Sequence, residues 1–248
     1  MIPRTTGRFS RGFRLFAESI PLLQKPGIMV LKQDTEPVMR TRVKICGITR
    51  AEDARMTVDA GVDAIGLVFY KKSPRYVTAA QATEIAAIIP AFVTTVALFK
   101  DAAADEIATL LQQASIDLIQ FHGSESAEFC EQFQRPYIKA LGMVSQGMQT
   151  GEYLRQSVQQ YRHARALLLD AHAPGAAGGT GETFDWDAIP QLDKPLVLAG
   201  GLHPGNVKQA IETVRPYAVD VSSGVESRPG IKDADRVAAF MQQVQSAI

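Results

Sequence analysis

Cysteine is scarce. The 248 residues contain two, Cys46 and Cys130, and neither stands in a Cys-x-x-Cys or Cys/His metal spacing. That excludes a disulfide scaffold and a zinc ribbon. Net charge is also absent, with Lys+Arg 26 against Asp+Glu 26, so the chain lacks the basic footprint of a dedicated nucleic-acid binder. No apolar run reaches the ~18 residues of a membrane-spanning helix. No Gly-x-Gly-x-x-Gly follows a first strand, which removes the dinucleotide-binding fingerprint. What remains is an ordinary globular composition, 46% hydrophobic and 21% charged. A chain of this length buries about 72% of its surface on folding, enough for one large core without staples. These features predict a soluble, cytoplasmic protein with no nucleic-acid or membrane partner.

The first 41 residues differ from the rest. Met1 to Val43 holds eight basic residues against three acidic ones, Glu18, Asp34 and Glu36. Its hydrophobic residues keep no period, and Pro21 and Pro26 interrupt any long helix. Three readings fit: a disordered extension, a start-site artefact with Met29 or Met39 as initiator, or an arginine-rich transit peptide. Residues 42–248 are expected to form a single catalytic domain.

In that domain, short runs rich in Val, Ile and Leu alternate with amphipathic segments of helical length. The runs are Val43–Cys46, Ala64–Phe69, Thr94–Phe99, Leu118–Gln120, Tyr137–Leu141, Ala166–Leu169, Leu196–Ala199 and Ala218–Val221. They read as strands buried on both faces. Helices are predicted over Ala51–Ala60, Ala79–Ile89, Ala103–Gln113, Glu125–Phe133, Gly151–Tyr161, Pro204–Val214 and Asp233–Val244. Thr49 with Glu52, and Thr78 with Gln81, have capping-box spacing. Only Ala171–Lys194 looks irregular, with room for a short turn at Trp186–Ile189. One βα unit per roughly 26 residues, repeated eight times, predicts an α/β fold of the (β/α)8 TIM-barrel type.

In such a barrel, chemistry sits where strands end. Gly200-Gly201 and Ser222-Ser223-Gly224 follow the seventh and eighth strands, where backbone N–H groups can approach a phosphate closely. Arg75 offers a planar fork suited to a carboxylate. Cys46 ends the first strand and Asp170 the sixth, so an acid–base pair would face each other across the mouth. Cys130 reads as packing, and Asp220 as structural pairing. His122 reads as a hydrogen-bonding loop residue, and Lys71 and Lys72 as solvated charges.

Several segments together resemble phosphoribosylanthranilate isomerases: Lys44-Ile45-Cys46-Gly47-Ile48-Thr49, Ser73-Pro74-Arg75-Tyr76, Gln120-Phe121-His122-Gly123, Leu169-Asp170, Gly178-Gly179-Thr180-Gly181, Gly200-Gly201-Leu202 and Asp220-Val221-Ser222-Ser223-Gly224-Val225-Glu226. The likeness runs in family order from about Arg42 to the end. It implies an isomerase of tryptophan biosynthesis, acting in the third step from chorismate. The implied reaction turns N-(5-phosphoribosyl)anthranilate into 1-(2-carboxyphenylamino)-1-deoxyribulose 5-phosphate by an Amadori rearrangement, with no cofactor and no metal. The resemblance implies Cys46 as general base, Asp170 as general acid and Arg75 at the anthranilate carboxylate. It puts Gly201, Ser222, Ser223 and Gly224 around the phosphate, with a contribution from Gly178–Gly181. Glu182 departs from the family's usual basic or polar residue. Rival readings are another phosphate-binding barrel enzyme, such as the sister aminoketose isomerase of histidine biosynthesis, and a barrel that only binds a phosphorylated ligand. The sister enzyme should place a carboxylate where Cys46 stands. Monomer and homodimer both remain open.

Overall fold

The computed structural model describes residues 40–143, 150–171 and 185–247. The expectations for the N-terminal extension (Arg40 and Thr41 apart), for the Gly178–Gly181 loop and for Glu182 lie outside them. Eight parallel strands close into a barrel in sequence order: β1 (Arg42–Cys46), β2 (Ala64–Val68), β3 (Thr94–Phe99), β4 (Leu118–Phe121), β5 (Tyr137–Gly142), β6 (Ala166–Asp170), β7 (Leu196–Leu198) and β8 (Ala218–Val221). The seam is closed by β1 against β8, with Lys44 in register with Asp220. Helices α1 (Ala51–Asp59), α2 (Ala79–Ala86), α3 (Ala104–Gln113), α4 (Ala127–Glu131), α5 (Thr150–Gln160), α6 (Val207–Val214) and α7 (Ala234–Gln245) fill the connections. Between β6 and β7 the described chain holds only a 3-10 turn at Trp186–Ala188.

Alternation along each strand divides the apolar residues in two. Ile138, Ala140, Ala166, Leu168, Val197, Ala199 and Ala218 form one cluster, the barrel lining. Their neighbours in sequence, including Ile119, Leu141, Leu167, Leu169, Leu198 and Val219, join the larger cluster that buries the helices against the sheet. The same alternation sends Lys44, Cys46, Gln120 and Asp220 inward with the lining. Polar groups at these positions therefore face a shared interior instead of the helix layer.

Local chemistry moved several expected boundaries. Thr78 does cap α2 in a reciprocal box with Gln81. Thr49 does not cap α1: the N-cap is Arg50, with no side-chain bond, because the Thr49 hydroxyl donates instead to the Gly230 carbonyl at 2.6 Å. The fourth helix begins at Ala127, not Glu125. Ser126 caps it, while the Glu125 carboxylate accepts from the Asp101 and Gly123 N–H groups, both at 2.9 Å. The sixth starts at Val207, not Pro204, after a turn in which Asn206 accepts from the His203 N–H at 2.8 Å. A small antiparallel hairpin, β9 (Glu226–Arg228) with β10 (Ile231–Lys232), follows β8 and was not anticipated.

Candidate active site

Because all eight strands run parallel, their C-terminal ends share one rim. Cys46 is the last residue of β1 and Asp170 the last of β6. The Cys46 thiol is buried, and space for it comes from the neighbouring strand: a Cβ on Gly66 would lie 2.8 Å from its sulfur. Burial pushes the thiol up from its ordinary value, while the nearby charges of Lys44 and Lys232 pull it down. Burial also works against the Lys44 charge, but Asp220 and Cys46 more than offset this and hold Lys44 protonated. Its Nζ donates to Asp220 Oδ2 at 2.7 Å. The expected structural pairing of Asp220 is thus made, across the barrel seam.

Asp170 meets His122, whose Nε2 lies 3.2 Å from Asp170 Oδ2. The other ring nitrogen, Nδ1, is 3.0 Å from Gln120 Nε2. With the Gln120 amide NH2 donating to Nδ1, the ring presents its Nε2 edge to the aspartate carboxylate. His122 thus makes polar contacts of the kind expected of a hydrogen-bonding loop residue. Gly200, at φ +82°, lies against this acid: a Cβ there would sit 2.7 Å from Asp170 Oδ1 and collide with the Ala171 backbone. Only glycine accepts both the left-handed backbone and the close approach.

The loops after β7 and β8 touch each other. A Cβ on Gly224 would overlap the Leu202 carbonyl, and Asn206 Nδ2 donates to the Gly201 carbonyl at 3.0 Å. Ser222 leads into a 3-10 turn, Ser223–Val225. Three buried polar atoms on or near the barrel interior have no hydrogen-bond partner among the described residues: Gln120 Oε1, Asp220 Oδ1 and Ser222 Oγ. Buried polar atoms are normally satisfied, and the Ser222 hydroxyl lies beside Gly47 and the Arg75 stem at the end of β1.

Arg75 enters from the loop after β2. Its stem crosses directly over Gly47, where a Cβ would overlap Arg75 Cδ and sit 3.0 Å from Ser222 Oγ. Its Nε and Nη2 donate to Glu226 at 2.8 and 2.7 Å, and Lys232 donates to the same carboxylate at 2.7 Å. Burial opposes ionisation of Glu226, but Arg75 and Lys232 outweigh it and hold its carboxyl below the ordinary value. The structure thus gathers Cys46, Arg75 and Ser222 on the β1–β8 side of the rim, and Asp170 with His122 on the β4–β6 side. Lys71 stays outside, paired with Glu106 on the surface. Sequence reasoning missed Lys44, Gln120, Glu226 and Lys232. Charged or amide residues at inward strand positions and just after the eighth strand were the available signal. Among the described residues, no three His, Cys, Asp or Glu side chains are grouped to hold a metal ion, and no helix is long and apolar enough to cross a membrane.

Relatives share both the sequence and the fold. A family model described as N-(5'phosphoribosyl)anthranilate (PRA) isomerase matches residues 43–243. N-(5'-phosphoribosyl)anthranilate isomerase of Pseudomonas syringae pv. tomato is 54% identical over 204 residues, covering 82% of this chain and 97% of its own. The namesake from Acidithiobacillus ferrooxidans is 53% identical over the same shares. The crystal structure of phosphoribosyl anthranilate isomerase from Thermotoga maritima superposes with a TM-score of 0.72 at 38% identity, covering 83% of this chain and 99% of its own. A phosphoribosyl anthranilate isomerase solved in complex with reduced 1-(o-carboxyphenylamino)-1-deoxyribulose 5-phosphate gives 0.69 at 39% identity, over the same shares. With an eight-stranded barrel, a cysteine and an aspartate on its rim and relatives matched over nearly their full length, this chain belongs to the N-(5'-phosphoribosyl)anthranilate isomerase family.

Proposed function

We propose that this chain isomerises N-(5'-phosphoribosyl)anthranilate to 1-(2-carboxyphenylamino)-1-deoxyribulose 5-phosphate, with Asp170 as general acid and Cys46 as general base. The observation that carries the reading is the placement of these two side chains at the ends of β1 and β6, on one rim of a barrel whose relatives carry that name. Asp170 gives its proton to the ribose ring oxygen as the C1′–O bond breaks, and the anilino nitrogen lone pair forms the C1′=N bond. Cys46 then takes the C2′ proton. The released pair forms C1′=C2′ and the C=N electrons return to nitrogen, giving an enolamine. Transfer of the C2′ hydroxyl proton to C1′ completes the aminoketose.

Gly201, Ser222, Ser223 and Gly224 hold the phosphate, and the orphaned Ser222 hydroxyl supports this assignment. Arg75 takes the anthranilate carboxylate. Gripping both ends fixes the sugar between acid and base, so remote binding energy becomes orientation. The reaction takes a small phosphorylated substrate in the cytoplasm, and a monomer or a homodimer can perform it. A Thermotoga maritima relative is described as dimeric, with monomers generated from it.

The test is steady-state turnover of freshly generated phosphoribosylanthranilate, followed by loss of anthranilate-type fluorescence. Cys46→Ser and Asp170→Asn are each expected to lose about 100-fold or more in kcat while remaining folded. Turnover surviving both substitutions overturns the acid–base assignment. Absence of wild-type turnover, with a control enzyme active, overturns the substrate.

A further inference from the structure

The Arg75 guanidinium is held by a residue from another loop. Glu226, at the start of β9, takes its Nε and Nη2 in a bidentate pair. Lys232, on β10, grips Glu226 Oε1 at 2.7 Å and also donates to the Ser222 carbonyl at 3.2 Å. Arg236, in the first turn of α7, donates to the Glu226 carbonyl. The Lys232 and Glu226 side chains are 0% and 4% exposed, and that of Arg75 is 14% exposed. Two features of this triad point beyond packing. A guanidinium has five N–H donors. Glu226 consumes the pair on the Nε edge, which fixes the plane and leaves the Nη1–Nη2 end for a second acceptor. The triad also brings two cations to one carboxylate; burial pulls Lys232 below its ordinary value, so the charge that faces the rim is that of Arg75. Arg75 is the most exposed of the three and is the charge an arriving anion would meet, and the neighbouring rim is where a carboxylate and a phosphate would arrive.

We propose that Glu226 is a positioning residue for recognition of the substrate carboxylate: with Lys232 it clamps the Arg75 fork to the loop at Ser222, so that the carboxylate-binding edge stands at a fixed distance from the phosphate-binding loop. The proposal rests on the reading of Arg75 given above. It makes Glu226 necessary without contact to the substrate. The hairpin β9–β10 then has a function: it delivers the anion and the cation of the clamp, at Glu226 and Lys232, to one place.

The experiment measures inhibition by two probes. One is reduced 1-(o-carboxyphenylamino)-1-deoxyribulose 5-phosphate and the other is the same molecule without its carboxylate. The ratio of their inhibition constants reads the carboxylate grip alone, because both share the phosphate and the reduced sugar. In wild type the carboxylated probe is expected to bind at least about 30-fold tighter, within the range of a charge-assisted bidentate contact. Arg75→Ala should collapse that ratio. Glu226→Gln should reduce it by about tenfold, raise KM more than it lowers kcat, and leave the affinity of the carboxylate-free probe within about threefold. Combining Arg75→Ala with Glu226→Gln should cost the ratio nothing further. Glu226→Asp keeps the charge beside Lys232 but shortens the reach. It should give an intermediate ratio, and it carries the test if Glu226→Gln does not fold. A ratio unchanged in Glu226→Gln or Glu226→Asp but lost in Arg75→Ala overturns the clamp and keeps the reading of Arg75. A ratio unchanged in Arg75→Ala overturns both.

Discussion

At the scale of single residues, the site is shaped as much by missing side chains as by present ones. Gly66 opens room for the Cys46 sulfur and Gly200 lets the seventh strand's loop close on Asp170. Gly200→Ala would force a Cβ into the Ala171 backbone at a φ of +82°. It should cost about 1–3 kcal/mol of stability in urea titration. It should also lower kcat by tenfold or more, because the strain is relieved at the acid itself. Full activity with an unchanged urea midpoint would contradict the close approach. Cys46 permits a prediction in pH. The base acts only when ionised, and in the free protein burial lifts its thiol above the ordinary range. Hence the ionisation of Cys46, read as the thiolate absorbance difference between wild type and Cys46→Ser, should continue past about pH 8, with no plateau at the ordinary thiol value. A profile already flat from pH 6 would show the thiolate to be far better stabilised by Lys44 and Lys232 than this environment indicates. Glu226 has the opposite sign. Its folded carboxyl lies below the ordinary value, so its contribution to stability is fully present above the unfolded pKa and is lost as pH falls through the folded one. Glu226→Gln should therefore flatten the acid limb of a melting-temperature profile below about pH 5, where wild type loses stability.

At the scale of elements, the hydrogen-bonded seam and the loops do different work. Register places Lys44 of β1 opposite Asp220 of β8, and the resulting ion pair lies in the barrel with both side chains under a tenth exposed. Removing one partner leaves a buried charge alone, so Asp220→Leu should destabilise the barrel by about 3–5 kcal/mol. The double substitution Lys44→Met with Asp220→Leu should recover most of that stability but not turnover, since Cys46 loses the neighbouring positive charge that favours its thiolate. Equal stability of the single and double variants in urea titration would show that the pair is not coupled. Loops behaved less predictably than strands from sequence. Capping-box spacing was met twice, yet only Thr78 caps, because the Thr49 hydroxyl was claimed by a carbonyl 181 positions away along the chain. Spacing reports which bonds a side chain can make locally. It carries no information about a stronger acceptor brought in by the fold.

At the scale of the whole molecule, the eight barrel strands fall between Arg42 and Val221 and close on themselves within the described residues. We expect a chain beginning at Met39 to fold unaided, with a melting temperature within about 3 °C of the full chain, a shift worth less than ~1 kcal/mol, and undiminished kcat. A large loss in either measurement would assign the N-terminal segment a structural part.

The sequence by itself determined the barrel. Buried parallel strands must be nearly continuously apolar, and their eightfold alternation with amphipathic helices leaves few other architectures. It also determined the candidate acid, base and anion-binding loops, because parallel strands deliver their last residues to one rim whatever the side chains are. Only the tertiary structure decided what surrounds those groups. The pairing of Lys44 with Asp220 depends on which strands close the seam, and the contact of His122 with Asp170 depends on the residue after β4 reaching the end of β6. The Arg75–Glu226 pair joins residues 151 positions apart, a separation over which sequence spacing says nothing about proximity. Electrostatic environment is a property of distances through space, and a linear chain records only distances along itself.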